Sequence, residues 1–192
     1  MAVGVKQGAV IAKGGNQLFI YQVDPTTFAG VTLTVGTYLF NLSFLNSSNI
    51  QQSTDEQTAE YEDGDVITVS YTYNIMFEAT LMQSDGDLIT LLGETVKGQT
   101  YLIGKYTGYV NAAYQWFYMI VKIKPQFSVA RPGGDTSMKM EARAVKLSTA
   151  VTYSAATMAS IGSLLTLSNY PTTTLVIGTS KRYAIMENGV IV

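Results

Sequence analysis

The stretch VITVSYTYNIMFEATLM (residues 66–82) decides the fold. One alternate set is Ile67, Val69, Tyr71, Tyr73, Ile75, Phe77, Ala79 and Leu81; the other is Val66, Thr68, Ser70, Thr72, Asn74, Met76, Glu78, Thr80 and Met82. Apolar residues at period two mean a β-strand with one apolar face and one mostly small, polar face. Seventeen residues at about 3.3 Å each span about 56 Å, whereas strands of ordinary domains run to about five or six residues. Either a bulge bends this strand or it runs past the body of its domain.

Working outward, GVTLTVGTYLFNLSFL (residues 30–45) reads as its partner strand, with Tyr38, Phe40, Leu42 and Phe44 on one face and Thr37, Asn41 and Ser43 on the other. Residues 46–65 between them are polar and read as a long early hairpin loop. Its second half, TDEQTAEYEDGD (residues 54–65), holds six carboxylates and no basic residue. Loops of that length in a compact domain tend to be functional or disordered. On the other side, QSDGDLITLLGETVKG (residues 83–98) predicts a short helix of about three turns: Ser84 as N-cap with Asp87 at the capping-box position, then a Leu88, Leu91, Leu92 stripe.

Three further strands follow. TYLIGKYTGYV (residues 100–110) carries Gly104 and Gly108, which suggest bends or close backbone approach. QWFYMIVKIKPQFSVA (residues 115–130) alternates Phe117, Met119, Val121, Ile123 and Phe127 against Tyr118, Ile120, Lys122, Lys124 and Gln126. A turn at Arg131-Pro132-Gly133-Gly134-Asp135 returns it to TSMKMEARAVKL (residues 136–147), with Met138, Met140, Ala142 and Ala144 on one face. Composition then shifts to small, uncharged residues. Residues 149–192 read as a C-terminal extension, an arm or small strand pair with Asn188-Gly189 as its turn, appended to a β domain of residues 1–148.

The totals exclude several function classes. The chain has 192 residues, 47% hydrophobic, enough for one substantial core. Charged residues make up only 14%, against roughly 25% in an average domain, and there are 13 Tyr, a composition that fits a surface covered by partners or simply a β-rich domain. A net charge of −2 offers no general attraction to nucleic acid or anionic membranes. Cysteine and histidine are both absent, which removes disulfides, thiolate chemistry, and the commonest general base and metal ligand. The apolar run before Lys13 is shorter than the roughly 7–15 residues of a signal peptide, and no run approaches the roughly 18 of a membrane helix. A soluble protein of a reducing compartment is expected.

Charge is segregated along the chain. Residues 14–96 contain no Lys or Arg and hold eleven of the fourteen acids. From residue 97 to 146 the balance reverses: Lys97, Lys105, Lys122, Lys124, Arg131, Lys139, Arg143 and Lys146 face only Asp135 and Glu141. An acidic part and a basic part on one subunit favour head-to-tail contact, which gives rings or filaments, unless the fold neutralises them internally.

Sites of chemistry are weakly signalled. Asp63-Gly64-Asp65 and Asp85-Gly86-Asp87 resemble fragments of calcium loops but lack the full ligand series and the closing Glu. Acids bunched on one loop do not make the pair across a cleft that glycoside hydrolysis needs. No nucleophile elbow, phosphate loop or dinucleotide fingerprint occurs. Trp116 with Tyr114 and Tyr118 reads as a sugar-binding platform or as ordinary packing. No catalytic residue, metal or cofactor is expected, and the chain is not read as an enzyme.

The segments FEATLMQSDGDLITLLGETVKGQTYLIGKYTGYV and KIKPQFSVARPGGDTSMKMEARA, in their order after a long hairpin, resemble the tail tube (major tail) proteins of tailed bacteriophages over roughly residues 30–147. The resemblance implies a mainly β fold, a tail-tube-like β-sandwich or barrel with one short flanking α-helix and a long early hairpin loop. It implies six subunits per ring, inner strands joined into one barrel, and rings stacked head to tail into a hollow tube for DNA ejection. It implies a virion tail assembled in the host cytoplasm, with tape measure, tail terminator and distal tail proteins as partners and only transient, non-specific DNA passage. In that frame Asp55, Glu56, Glu60, Glu62, Asp63 and Asp65 form the inter-ring contact loop, or alternatively face the lumen. Thr68, Ser70, Thr72 and Asn74, free of cations that would hold phosphate, are the candidate lumen face. Competing readings are a carbohydrate-binding β-sandwich module using Trp116, and another virion protein of related fold such as a tail terminator or head decoration.

Overall fold

The computed structural model describes residues 17–42, 45–60, 66–81, 100–110, 113–128 and 137–192. Its centre is β5 (Thr100–Val110) and β6 (Ala113–Ser128), antiparallel, with Thr100 opposite Lys122. On the far side of β5 lie β1 (Leu18–Val23) and the short β2 (Leu39–Asn41); on the far side of β6 come β7 (Ser137–Ala144), β4 (Val66–Leu81) and β3 (Leu45–Glu60). The sheet order is therefore β2-β1-β5-β6-β7-β4-β3. Every pairing between these strands is antiparallel. The fold is mainly β, and among the described residues it has one short helix, α1 (Ala155–Leu164).

The central strands are buried on both faces, so their apolar residues run continuously instead of alternating with polar ones. Leu18, Ile20, Tyr101, Ile103, Met119, Val121, Ile123 and Ala142 share one face with Phe40, Leu42 and Ile75. Phe19, Tyr21, Leu102, Trp116, Tyr118 and Ile120 point the other way. At Gly104 a β-carbon would lie 2.1 Å from the Phe19 ring, so only glycine lets that ring lie across β5. Gly108, at φ +117°, sits at the register shift between Tyr106 and Gly108, the bend its sequence position suggested.

Residues 151–192, within the segment 149–192 read from sequence as an appended extension, share the core of the second face. β8 (Val151–Tyr153) pairs with β9 (Leu175–Ile177), and α1 lies between them in sequence. Val151, Tyr153, Met158, Ile161, Leu165, Leu175 and Ile177 form one cluster with Phe19 and Trp116. β10 (Tyr183–Glu187) joins the main sheet, using the part of the β6 edge (Gln115–Met119) that precedes the part used by β7. Asn188 and Gly189, at φ 48° and 82°, make the tight turn to β11 (Val190–Ile191), as their sequence signalled.

Local chemistry explains α1. Ser154 is extended and its Oγ accepts from the Thr157 amide at 3.2 Å, an N-cap. Met158 and Ile161 are its buried face. At the other end, Leu167 N donates to Gly162 O and Thr166 N to Ser163 O, the two bonds of a Schellman motif, with Thr166 left-handed at φ 52°.

Two expectations are corrected. Residues 30–42 do not form the partner of the long strand. Within residues 30–42 the strand is Leu39–Asn41, and it pairs with β1, because the Thr34 carbonyl gathers the amides of Thr37, Tyr38 and Leu39 into a turn around Gly36. The partner is β3: the early hairpin is present, but its polar residues run in strand as far as Glu60 instead of forming a loop. Polarity did not forbid this, since a strand at the end of a sheet needs no apolar face to keep its ladder of backbone hydrogen bonds. The helix expected near Ser84 and Asp87, and the turn at residues 131–135, lie outside the described residues.

Candidate functional site

β4 has two neighbours over only part of its length. It pairs with β7 from Met76 (opposite Arg143) to Leu81 (opposite Met138), while β3 follows it from Leu81 back to Val66. Among the described residues, positions 66–75 of β4 therefore pair with β3 alone. The result is a two-stranded ribbon of about ten residues per strand, roughly 33 Å long, that leaves the sheet at Met76. Ile50 and Ile75 anchor its root in the core of the first face. A register shift between Gln57 and Thr58 interrupts it midway.

The ribbon brings together the two residue sets singled out in the sequence. Thr68 stands opposite Thr58, Ser70 opposite Gln57, Thr72 opposite Asp55 and Asn74 opposite Ser53. Directly opposite residues of an antiparallel pair share a face. Asp55 thus belongs to the candidate lumen face, while Glu56 stands opposite Tyr71 in the other set, and Glu60 stands opposite Val66. By register, Asp55 and Glu60 fall in one alternate set of the ribbon and Glu56 in the other. Glu62, Asp63 and Asp65 lie outside the described residues.

At the root of the ribbon the sheet opens into a groove of about 620 Å³ lined by Met76, Lys122, Ile123, Glu141, Arg143, Ala144 and Val145. The register sets Lys122 directly opposite Arg143, and both are exposed. Glu141, half-buried, has an interaction of its own, and the register sets Lys124 opposite it. The sequence reading recorded the cations but missed their pairing. The signal was available: the turn expected from the sequence at Pro132-Gly133 falls midway between Lys122 and Arg143.

The aromatic platform is corrected. Trp116 and Tyr118 are fully buried, and Trp116 Nε1 donates to Asn169 O at 2.9 Å. The Tyr170 ring meets Trp116 edge-on at 4.8 Å, so no sugar can stack there. Only Tyr114 of the three reaches the surface. Burial raises the pKa of Tyr118 well above 10, with the neighbouring Tyr170 phenol adding to it, and pushes Tyr101 up to about 12. Burial also lowers Lys105 on the first face. These groups are structural in position, and none lines the groove. Among the described residues no three acids are grouped as a metal site, and no helix is long and apolar enough to cross a membrane.

Neither a protein-family model nor a curated protein matches the chain. Among solved structures, a chain of "Virion of native gene transfer agent (GTA) particle" is similar at a TM-score of 0.38 and 9% identity, over 68% of this chain and 91% of that one.

Proposed function

We propose that the chain is a structural virion protein: a tail tube subunit that self-assembles into stacked rings around a channel for DNA. The observation that carries the reading is the β3–β4 ribbon. A two-stranded ribbon standing alone is marginal in water, because it offers no second layer on which to bury a face. Its β4 strand nevertheless keeps the apolar alternation Ile67, Val69, Tyr71, Tyr73 out to the far end. Such a pattern needs a partner layer, and the outer edge of β3 is unpaired among the described residues. Neighbouring copies supply both the layer and the edge, and edges joined in a closed ring cannot pair at random.

The opposite set, Thr68, Ser70, Thr72 and Asn74, suits a wall along which DNA slides, since no cation there can hold a phosphate. The likeness of sequence texture to tail tube proteins supports the same reading. In it the protein works by assembly, not catalysis, and its partners are further copies and the tape measure, terminator and distal tail proteins of a virion tail. Negative-stain microscopy of the purified protein tests it: rings or tubes about 100 Å across, the width expected for a ring of domains this size. A strict monomer at high concentration sinks the reading.

A further inference from the structure

We propose that the cleft where the start of β6 meets residues 169–173 and the Asn188-Gly189 turn is a binding site for the ring of a neutral sugar. The inference goes beyond the tube-subunit reading and does not depend on it. The cleft measures about 350 Å³, within the range of small-molecule sites, and its lining includes Tyr114, Asn169, Thr172, Thr173, Asn188 and Gly189. Its first support is chemical. A pyranose ring has an apolar face of C–H groups and a rim of hydroxyls, each both donor and acceptor. An aromatic ring beside neutral amides and hydroxyls matches both. Trp116 is covered, but Tyr114, two residues earlier on the same face of β6, is 41% exposed, although it also has a contact within the protein. Among the described residues no Lys, Arg, Asp or Glu lines the cleft. Glu187, next to the turn in sequence, stands opposite Gln115 on the alternate face of the sheet, and its Oε1 accepts from Gln115 Nε2 at 2.8 Å. A charged ligand therefore finds no counter-charge in the cleft.

The second support is that the walls are held in place before a ligand arrives. Asn188 N donates to Tyr114 O at 3.0 Å, and Tyr114 N donates to Asn188 Oδ1 at 2.9 Å. These bonds engage the amide oxygen of Asn188 and leave the donors on Nδ2 for a ligand. Thr173 Oγ1 donates to Gly189 O and keeps its acceptor capacity. Asn169 is left-handed at φ 54°, and its carbonyl accepts from Trp116 Nε1, which fixes the backbone and spares the side-chain amide. Thr172, exposed, adds a hydroxyl. Groups fixed in advance lose less freedom on binding. The cleft also lies clear of the ribbon. The row at the fork runs Met76, Arg143, Lys122, Thr100, whereas Tyr114 stands opposite Tyr109. Thr100 and Tyr109 are nine positions apart on β5, roughly 30 Å.

Saturation-transfer difference NMR on the full chain tests the site, and it works on monomers and assemblies alike. The probes are methyl α-D-glucopyranoside, methyl α-D-mannopyranoside and tri-N-acetylchitotriose, with sodium glucuronate as the charged control. At least one neutral probe should receive saturation, most strongly at its ring C–H protons, with a dissociation constant on the order of 1 mM, as a single ring in a shallow cleft gives. Tyr114→Ala should weaken binding about tenfold, and Thr172→Ala roughly threefold. Tyr114→Phe, which keeps the ring, should bind as the wild type does. All three changes fall on exposed side chains, and a wild-type thermal midpoint shows that each variant is folded. Silence from every neutral probe at about tenfold above that constant overturns the proposal. So does a folded Tyr114→Ala chain that binds as the wild type does, or glucuronate binding more tightly than the glucoside. None of these results touches the tube reading, which ring formation tests separately.

Discussion

Met76 stands opposite Arg143, and on the N-terminal side of that pair β4 has β3 as its only partner among the described residues. One register position thus divides the long strand into two parts. Residues 76–81 belong to a sheet with a core behind it. Residues 66–75 belong to a ribbon that has no further strand beside it among the described residues.

Besides its shared core and the pairing of β10 with β6, the C-terminal segment is held by a clamp that can be broken singly. Gln17, almost fully buried, donates from Nε2 to Ser168 O at 3.2 Å and accepts at Oε1 from Ser168 N at 2.8 Å. The side-chain amide copies the two bonds of a strand pair. Gln17→Ala leaves both Ser168 groups without that partner and should cost about 1–3 kcal/mol. Urea unfolding measures the loss, and amide exchange at Ser168 should accelerate beyond what the global change accounts for. An unchanged Ser168 amide would show that the clamp does not hold the segment.

The helix stop offers a gain. Thr166 is exposed, β-branched and left-handed, a conformation that costs an L-residue roughly 1–2 kcal/mol. Thr166→Gly removes that strain, offset in part by the greater entropy of glycine in the unfolded chain. A net stabilisation of about 0.5–1 kcal/mol is expected, read as a higher urea midpoint with an unchanged slope. A loss of stability would mean that the Thr166 side chain contributes more than its backbone costs.

High pH should unfold the protein through its tyrosines. Burial raises Tyr101 to about 12, and raises Tyr153, Tyr170 and Tyr118 as well. The fold therefore favours the neutral phenols. That contribution is complete below pH 10, the ordinary tyrosine value, and is lost as pH climbs from there through the folded values. Tyrosinate absorbance from this group should rise together with the loss of circular dichroism, in one step well above pH 10. Smooth titration near pH 10 with the fold intact would contradict the burial assigned to them.

How far the sequence revealed the fold depended on what each element packs against. β4, β5, β6 and β7 were legible because period two and the glycines at 104 and 108 are local. The Asn188-Gly189 turn was legible for the same reason. β3 was not: SSNIQQSTDEQTAE (residues 47–60) lacks an apolar face, and only pairing with β4 makes it a strand. Phe40 and Leu42 suggested a long strand at residues 30–45 because burial alone mimics strand alternation, while the turn at Gly36 depends on backbone bonds to Thr34 that composition does not display. Trp116 could not be told from a binding platform until Tyr170 was seen to cover it, from 54 positions away in the chain. The groove was half legible: its cations were visible, and their pairing required the register.

As a tube subunit, the chain would use its ribbon to meet another copy of itself. Excising residues 55–72 and joining Thr54 to Tyr73, which are opposite in register, through Asn-Gly shortens the ribbon to its root and closes it with a favoured turn. Sedimentation velocity on this chain and the wild type, over a range of concentrations, is the most direct test. The wild type should sediment as large, concentration-dependent assemblies, and the shortened chain as a folded monomer with native circular dichroism at every concentration. Assembly that survives the excision unchanged would contradict the account.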